Sequence, residues 1–168
     1  MKRVFLPVVA VTLVSLAQAE GLRSKIMEMD RKVTAALKSK DLAKFKQLVL
    51  PNITKDFKHV EYGQTMTFDE MYNQMKQSFA MIDKVKDVSV KIVSIKETGN
   101  TGKSVAKHRM VTTMKGPDKK THVMVFEGTS NDTYVKVNGA WKMSRMEWSN
   151  NKMTMDGKPM DMSQMGGK

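Results

Sequence analysis

Proton-transfer chemistry is suggested first by His108, which lies in a stretch where polar and apolar residues alternate. Alternate side chains of a strand share one face, so His108 would lie beside Ala106 and Met110, with Lys107 and Arg109 on the other face. Burial among apolar side chains lowers the pKa of an imidazole and leaves a neutral ring that can accept a proton. The alternative interpretation is a hydrogen-bonded core histidine without a chemical role.

Arg145 is a second candidate, because a guanidinium group can hold an anionic ligand. Period-two spacing places Arg145 on one strand face with Trp141, Met143 and Glu147. Trp141 is expected to be a packing anchor. Arg145 could point into a cavity towards a ligand, or it could pair with Glu147, and the pattern leaves both interpretations open.

These side chains need a scaffold, and its best-specified element is a helix that begins after Thr67. The residues Thr67-Phe68-Asp69-Glu70 predict a capping box, in which the threonine hydroxyl and the glutamate carboxylate each accept from the other residue's amide. An apolar stripe then recurs at helical spacing, formed by Phe68, Met71, Tyr72, Met75 and Phe79. The helix should therefore pack on a sheet, and Tyr72 is a candidate ligand-binding residue.

Helical spacing also occurs earlier in the chain. From Ser24 onward the apolar positions follow a helical period, namely Ile26, Met29, Val33, Ala36 and Leu37. Residues 39–41 interrupt this pattern, Asp41 can cap a second segment, and Pro51 ends that segment, so two packed helices or one kinked helix would both fit. Residues 52–66 are irregular and predict short strands.

After Asp83 the apolar residues alternate through the segments 85–97, 104–115, 121–137 and 140–148. The connections between these segments are short enough to force antiparallel hairpins. Gly128 interrupts the third and longest segment, where it indicates a bulge or a bend. The predicted fold class is therefore α+β, with N-terminal helices packed on a strongly bent antiparallel sheet of about four to six strands.

Several short motifs carry a resemblance to a known family: Asp41-Leu-Ala-Lys-Phe, Phe68-Asp-Glu-Met, the Gly99-Asn100 turn, Asp132-Thr-Tyr-Val-Lys136 and Gly139-Ala-Trp-Lys-Met143. Together they resemble the SnoaL-like branch of the nuclear transport factor two-like superfamily, which has the ketosteroid-isomerase-like or cystatin-like cone fold. The resemblance implies a cavity between helices and sheet, with Tyr134 near it. It also implies frequent homodimers through the outer face of the sheet.

Members of this superfamily include isomerases, cyclases, dehydratases and ligand-binding proteins, so the fold leaves function open. The isomerases use a base carboxylate deep in the cavity, and no strand carboxylate of this sequence is clearly directed inward. Asp56 is expected near the mouth of the cone, while Asp69 and Glu70 belong to a helix cap. We therefore predict no catalytic residue, and an enzyme that uses His108, Tyr134 and Arg145 is the alternative.

The leading prediction is a non-catalytic domain that binds a small, mainly apolar ligand in its cavity or serves as an interaction module. Its predicted ligand-binding residues are Tyr72, His108, Tyr134 and Arg145. The sequence has no nucleophile-elbow motif, and its histidines lack the spacing of a helix-borne zinc site. We accordingly expect no cofactor.

Residues 1–19 read as a cleavable signal peptide. Lys2 and Arg3 precede a short apolar run that ends on Ala17-Gln18-Ala19, so cleavage is expected before Glu20. The run is shorter than the roughly 20 apolar residues of a membrane-spanning helix. The sequence thus predicts export to a bacterial periplasm or the extracellular space, no transmembrane anchor after cleavage, and one cone domain over residues 20–150.

The formal net charge of +12 makes anionic partners plausible. The basic residues are dispersed without an Arg-rich run or an aromatic RNA-binding motif, so nucleic-acid binding is not expected. Residues 151–168 form a predicted C-terminal tail rich in methionine: Met153, Met155, Met160, Met162 and Met165. Thioethers are soft ligands, so Cu(I) or Ag(I) binding by this tail is a further alternative, and coverage of apolar sheet surface is another.

Overall fold

A computed structural model describes residues 21–116 and 119–160 of the chain. The predicted signal peptide and the end of the Met-rich tail lie outside these residues. The helices are α1 (Leu22–Lys38), α2 (Leu42–Val49) and α3 (Phe68–Met81), with a 3-10 turn at Leu50–Asn52. The strands are β1 (Ile53–Glu61), β2 (Gln64–Met66), β3 (Ile82–Thr98), β4 (Thr101–Lys115), β5 (Thr121–Val137), β6 (Ala140–Met155) and β7 (Lys158–Pro159).

The N-terminal segment forms separate helices rather than one kinked helix. The chain turns at Lys40, whose φ of 58° lies in the left-handed region, and the Asp41 carboxylate accepts from the Lys44 amide at 2.8 Å to cap α2. The capping box predicted for α3 is confirmed, with the Thr67 amide donating to Glu70 Oε2 at 2.8 Å. Local polar contacts thus set the start of both α2 and α3.

The strands form a seven-stranded sheet in the order β2-β1-β6-β5-β4-β3, and β7 pairs with β6. The predicted antiparallel meander from β3 to β6 is confirmed. Strand β1, however, pairs with β6 in parallel, so the sheet is mixed and larger than the four to six antiparallel strands expected. The α+β fold class is correct, and the short strands predicted over residues 52–66 are present as β1 and β2. The parallel pairing of β1 with β6 is a long-range contact that the sequence pattern did not indicate.

Single extra residues bend the sheet. Strand β3 has one residue more than β4 at each of three places: between Ile82 and Lys84, between Val85 and Asp87, and between Ile92 and Ser94. Such bulges increase local twist and bend a strand. The curved sheet partly encloses the helices packed on its inner face.

The irregularity predicted at Gly128 lies on the neighbouring strand. The β4–β5 register passes through Gly128 without a break, and Gly128 stands opposite His108. Against β6 the register shifts at this point, because Asn150 and Asn151 together face Gly128. A Cβ atom on Gly128 would come within 3.0 Å of the Trp148 ring, so the glycine leaves room for that indole.

Apolar side chains of α1, α2, α3 and β1 form a core cluster around Ala36, Phe45, Ile53, Phe57 and Phe68, with several partly buried methionines against it. Strand β6 continues to Met155, past residue 150 where the sequence predicts the end of the cone domain. Within the described residues, no helix combines the length and the apolar character needed to cross a membrane.

Candidate ligand-binding cavity

A cavity of about 390 Å³ lies between the helices and the inner face of the sheet. Its lining is mainly apolar and includes Met29, Val33, Phe57, Phe79, Met110 and Met143. Pockets for small molecules have volumes of roughly 300–1,000 Å³ and a similar mix of apolar walls and few polar groups. The cavity is therefore large enough for a small ligand.

His108 lines this cavity from the inner face of β4, and its ring centroid lies 4.7 Å from that of Trp148. Its Nε2 atom is 2.9 Å from the Ser130 hydroxyl. Burial lowers the pKa of His108 to about 4, so the imidazole is neutral at pH 7. The structure places His108 on the face that the alternation predicts, and it also gives the ring a hydrogen-bond partner.

A buried carboxyl group, Asp132, continues this network and was missed by sequence reasoning. Oδ2 of Asp132 accepts from the hydroxyls of Ser104 and Ser130, each at 3.1 Å. No partner of Oδ1 is found among the described residues. Burial raises the pKa of Asp132 to about 7, against the lowering effect of the two serine hydrogen bonds, and nearby Asp30 adds to the rise.

The Ser130 hydroxyl has one hydrogen, and this limits the arrangement of the network. While Asp132 is ionised it accepts this hydrogen, so the hydroxyl accepts from Nε2 of the neutral His108 ring. The Nε2-protonated tautomer leaves Nδ1 as the acceptor of the ring. In this state of the network, His108 accepts a proton or a hydrogen bond through Nδ1.

Asp30 on α1 supplies a second carboxyl group, and it lines the cavity directly. Burial raises the pKa of Asp30 to about 6. The periodicity of α1 contained the signal for this residue, because Asp30 lies four residues after Ile26 and three before Val33, on the inward stripe. The sequence analysis considered strand carboxylates and so did not include Asp30 of α1, while Asp132 of β5 is buried beside the cavity residue Tyr134 without being part of the lining.

Tyr134 is buried on the same face of β5 as Asp132 and lines the cavity. Burial, with repulsion from Asp132, raises the pKa of its phenol above the ordinary value, so the hydroxyl stays protonated. Trp141 also lines the cavity, and its buried indole Nε1 has no acceptor among the described residues. The Tyr134 hydroxyl is hydrogen-bonded to Ser104, so the Trp141 indole is the donor of this pair without a protein partner.

Tyr72 and Arg145, the other two predicted ligand-binding residues, are not part of the cavity lining. The Tyr72 hydroxyl donates to the Leu42 carbonyl at 3.1 Å, and its ring stacks on Phe45 and Phe68. Arg145 donates through Nε and Nη2 to Glu147 Oε2 at 3.1 and 3.0 Å. Of the two interpretations of Arg145, the structure shows the ion pair.

The position of Arg145 follows from a bulge in β6. Tyr134 pairs with Met143 and Thr133 with Arg145, so one extra residue, Ser144, lies between them. A one-residue insertion reverses the alternation beyond it. Met146 and Trp148 consequently line the cavity in place of Arg145 and Glu147.

Two further polar residues, His59 and Glu61 of β1, line the cavity. Nε2 of the buried His59 lies 3.3 Å from Glu61 Oε2, and Glu61 Oε1 accepts from Asn151 Nδ2 at 2.7 Å. Nδ1 of His59 has no partner among the described residues. The irregular pattern of residues 52–66 gave no indication of this group.

The structure also bears on metal binding. Residues 21–116 and 119–160 contain no group of three or more histidine and acidic side chains that could hold a metal ion. Met153 and Met155 belong to β6 and are paired with Phe126 and Met124 of β5, so they are held in the sheet. Met162 and Met165 lie outside the described residues, and Cu(I) or Ag(I) binding by the tail stays a prediction.

The structure is similar to solved structures of low sequence identity. LinA, a type 2 hexachlorocyclohexane dehydrochlorinase, has a TM-score of 0.62 at 10% identity, over 83% of this chain and 88% of that one. A scytalone dehydratase-like protein from Novosphingobium aromaticivorans has a TM-score of 0.56 at 15% identity, over 79% of this chain and 85% of that one. A nuclear transport factor two-like protein of unknown function from Shewanella oneidensis has a TM-score of 0.51 at 15% identity, over 76% of this chain and 98% of that one.

The fold is similar to that of solved nuclear transport factor two-like proteins, as the sequence motifs predict. No protein-family model and no curated protein sequence matches this chain. At these identities the likeness defines the fold alone, and the chemistry of the site depends on its own residues.

Proposed function

We propose that this protein binds a small, mainly apolar molecule in the cavity between its helices and sheet. The cavity carries this proposal: a volume of about 390 Å³ lined mainly by methionine, valine and phenylalanine side chains. Burial of apolar ligand surface there would supply most of the affinity. The predicted signal peptide adds that binding takes place outside the cytoplasm.

The polar groups of the lining favour a ligand that carries a hydrogen-bonding group. Trp141 Nε1 offers a donor, and Nδ1 of His59 is a second buried polar atom of the lining without a partner among the described residues. The neutral imidazole of His108 does not provide a positive charge. Of the two cations in the lining, Arg109 is paired with Glu127, and Lys25 shares the lining with the acidic Asp30 and Glu61. An uncharged ligand, such as one with a hydroxyl or carbonyl group, therefore suits this cavity better than an anion.

Substitution of Val90 tests the proposal, because Val90 lines the cavity directly opposite His108. The variant Val90→Phe should fill part of the cavity and weaken binding of the uncharged fluorophore N-phenylnaphthylamine about tenfold or more. Fluorescence titration measures the dissociation constant. The matched control is Val93→Phe on the same strand, where the side chain is 53% exposed. If both variants bind the fluorophore equally tightly, the cavity is not the binding site.

Proton abstraction is a second candidate function, and Asp30 is the observation that favours it. A general base works best when its pKa lies near the working pH, and burial brings the pKa of Asp30 to about 6. The Asp30 carboxylate could take a proton from carbon while the substrate loses chloride or water from the adjacent carbon. Two proteins of similar fold are named for eliminations of this kind, one a dehydrochlorinase and the other a dehydratase.

The variant Asp30→Asn separates this candidate from binding alone. With a chlorinated cyclohexane as substrate, chloride release by the unaltered protein should rise as pH increases through about 6, because the base must be deprotonated. Asp30→Asn should lower the rate about 100-fold or more, while the exposed control Asp56→Asn should leave it unchanged. An unaltered protein that binds the fluorophore but releases neither chloride nor water from such substrates is a binding protein only.

A further inference from the structure

The outer face of β3 and β4 places lysines directly opposite each other. Lys91 pairs in register with Lys107, and Lys96 pairs with Lys103. All four side chains are exposed, and we call them the basic face. Like charges at directly opposite positions of a sheet repel and destabilise it. The basic face therefore destabilises the protein when no anion is bound, and a bound anion would relieve the repulsion.

The nearby carboxylates are engaged with other cations. Glu127 lies 3.4 Å from Arg109 Nε, and Glu97 lies 3.5 Å from Lys136 Nζ. Within the part of the chain that the structure describes, none of the four lysines of the basic face forms an ion pair. Their charge is therefore available to an external anion.

An open pocket of about 390 Å³ lies beside the first lysine pair. Its charged lining consists of Lys91, Lys107, Arg109, Lys152 and the acidic Glu127. Because Arg109 is paired with Glu127, the three lysines supply the net positive charge that raises the local concentration of anions at this concave surface. Backbone and hydroxyl groups at Ser89 and Thr129 add hydrogen-bonding partners for an oxyanion.

The spacing of the lysine pairs indicates the length of the ligand. Four residues of β4 separate Lys103 from Lys107, which corresponds to about 14 Å at ~3.4 Å per residue. A single phosphate can contact one pair only, whereas a chain of phosphates can contact both pairs at once and gain affinity by multivalency.

Other occupants suit the basic face less well. A symmetric dimer through this face would bring the lysines of two copies together. Nucleic acids gain affinity for such grooves by stacking bases on aromatic side chains, and the exposed aromatic among the described residues, Tyr62, lies in the β1–β2 turn. We propose that the basic face binds a linear, flexible polyanion with phosphate groups along its chain, of which inorganic polyphosphate is the simplest.

Polyphosphate titration of a fourfold variant tests this proposal. Replacement of Lys91, Lys96, Lys103 and Lys107 by Gln should weaken polyphosphate binding more than roughly 30-fold, as measured by calorimetry at low salt. The same number of substitutions away from this face, at Lys44, Lys55, Lys58 and Lys76, keeps the net charge equal and should change binding less than about twofold. Without ligand, the first variant should unfold at a higher temperature than the second, because the opposed charges are gone.

Three further ligands complete the experiment. Orthophosphate should bind far more weakly than polyphosphate at equal phosphate concentration, and added salt should weaken polyphosphate binding. Equal loss of polyphosphate binding in both fourfold variants would overturn the proposal. So would tighter binding to single-stranded DNA with the same number of phosphates, or to phosphatidylglycerol vesicles, since either result would assign the face to another class of partner.

Discussion

The variant Asp132→Asn is expected to be more stable than the unaltered protein at pH 8 and equally stable at pH 4. The folded-state pKa of Asp132, about 7, is above the ordinary value of 3.8. Folding therefore disfavours the charged carboxylate, and the stability present below pH 3.8 is lost as pH rises to about 7. The asparagine is never charged, and its amide oxygen can still accept from Ser104 and Ser130. A gain of about 2–4 kcal/mol at pH 8 follows from the size of the shift.

Urea unfolding at pH 4, 6 and 8 measures this effect. The control is Asp83→Asn, at an exposed position on β3, which should change the free energy of unfolding by less than about 0.5 kcal/mol at each pH. A destabilised Asp132→Asn protein at pH 8 would show that the charged carboxylate is stabilised in the fold, contrary to the argument from burial.

His108 has the opposite effect on pH dependence. Its folded-state pKa of about 4 lies below the ordinary 6.5, so folding disfavours the charged imidazole. The stability contributed by neutral His108 is present above pH 6.5 and is lost as pH falls towards 4. Burial of His108 and Asp132 in one hydrogen-bonded network thus limits stability from both sides of the pH range. Such a network is costly to folding, which is more typical of a functional site than of a packing core.

The fold was predictable where the signals are local. The capping box at Thr67 and Glu70 starts α3, and the Asn138-Gly139 turn joins β5 to β6, so the elements and their antiparallel order follow from neighbouring residues. The parallel pairing of β1 with β6 joins segments that are far apart in sequence. No turn or period in the sequence encodes such a pairing.

The candidate site was predictable only where strand registers are unbroken. His108 lies where alternation places it, because β4 and β5 pair without a shift along their length. Arg145 does not line the cavity, because one extra residue at Ser144 reverses the alternation on β6. Asp132 was missed for a related reason: Gly128 indicated a break in β5, whereas the irregularity belongs to β6. Asp30 could have been found, since it lies on the inward stripe of α1.

The packing of α1 on the sheet leads to the second large expected effect. Leu22 is 0% exposed and forms a core cluster with Ile26, Tyr134 and Trp141. Its Cδ2 atom would lie 2.2 Å from a Cβ atom on Gly102, so β4 has a glycine where the leucine side chain rests. Deletion of a fully buried leucine side chain costs transfer free energy and leaves a cavity. The variant Leu22→Ala should therefore lose about 3 kcal/mol of stability.

A double-mutant cycle tests this close approach. Gly102→Ala alone should destabilise the protein by about 1–3 kcal/mol, because its methyl group meets Leu22. Added to Leu22→Ala, the same substitution should cost much less, since the methyl group then occupies vacated space. Met27→Ala, at a 55% exposed position of α1, is the control that should change stability little. Additive effects of the two substitutions would mean that Leu22 and Gly102 are not in contact, and the placement of α1 over Tyr134 and Trp141 would need revision.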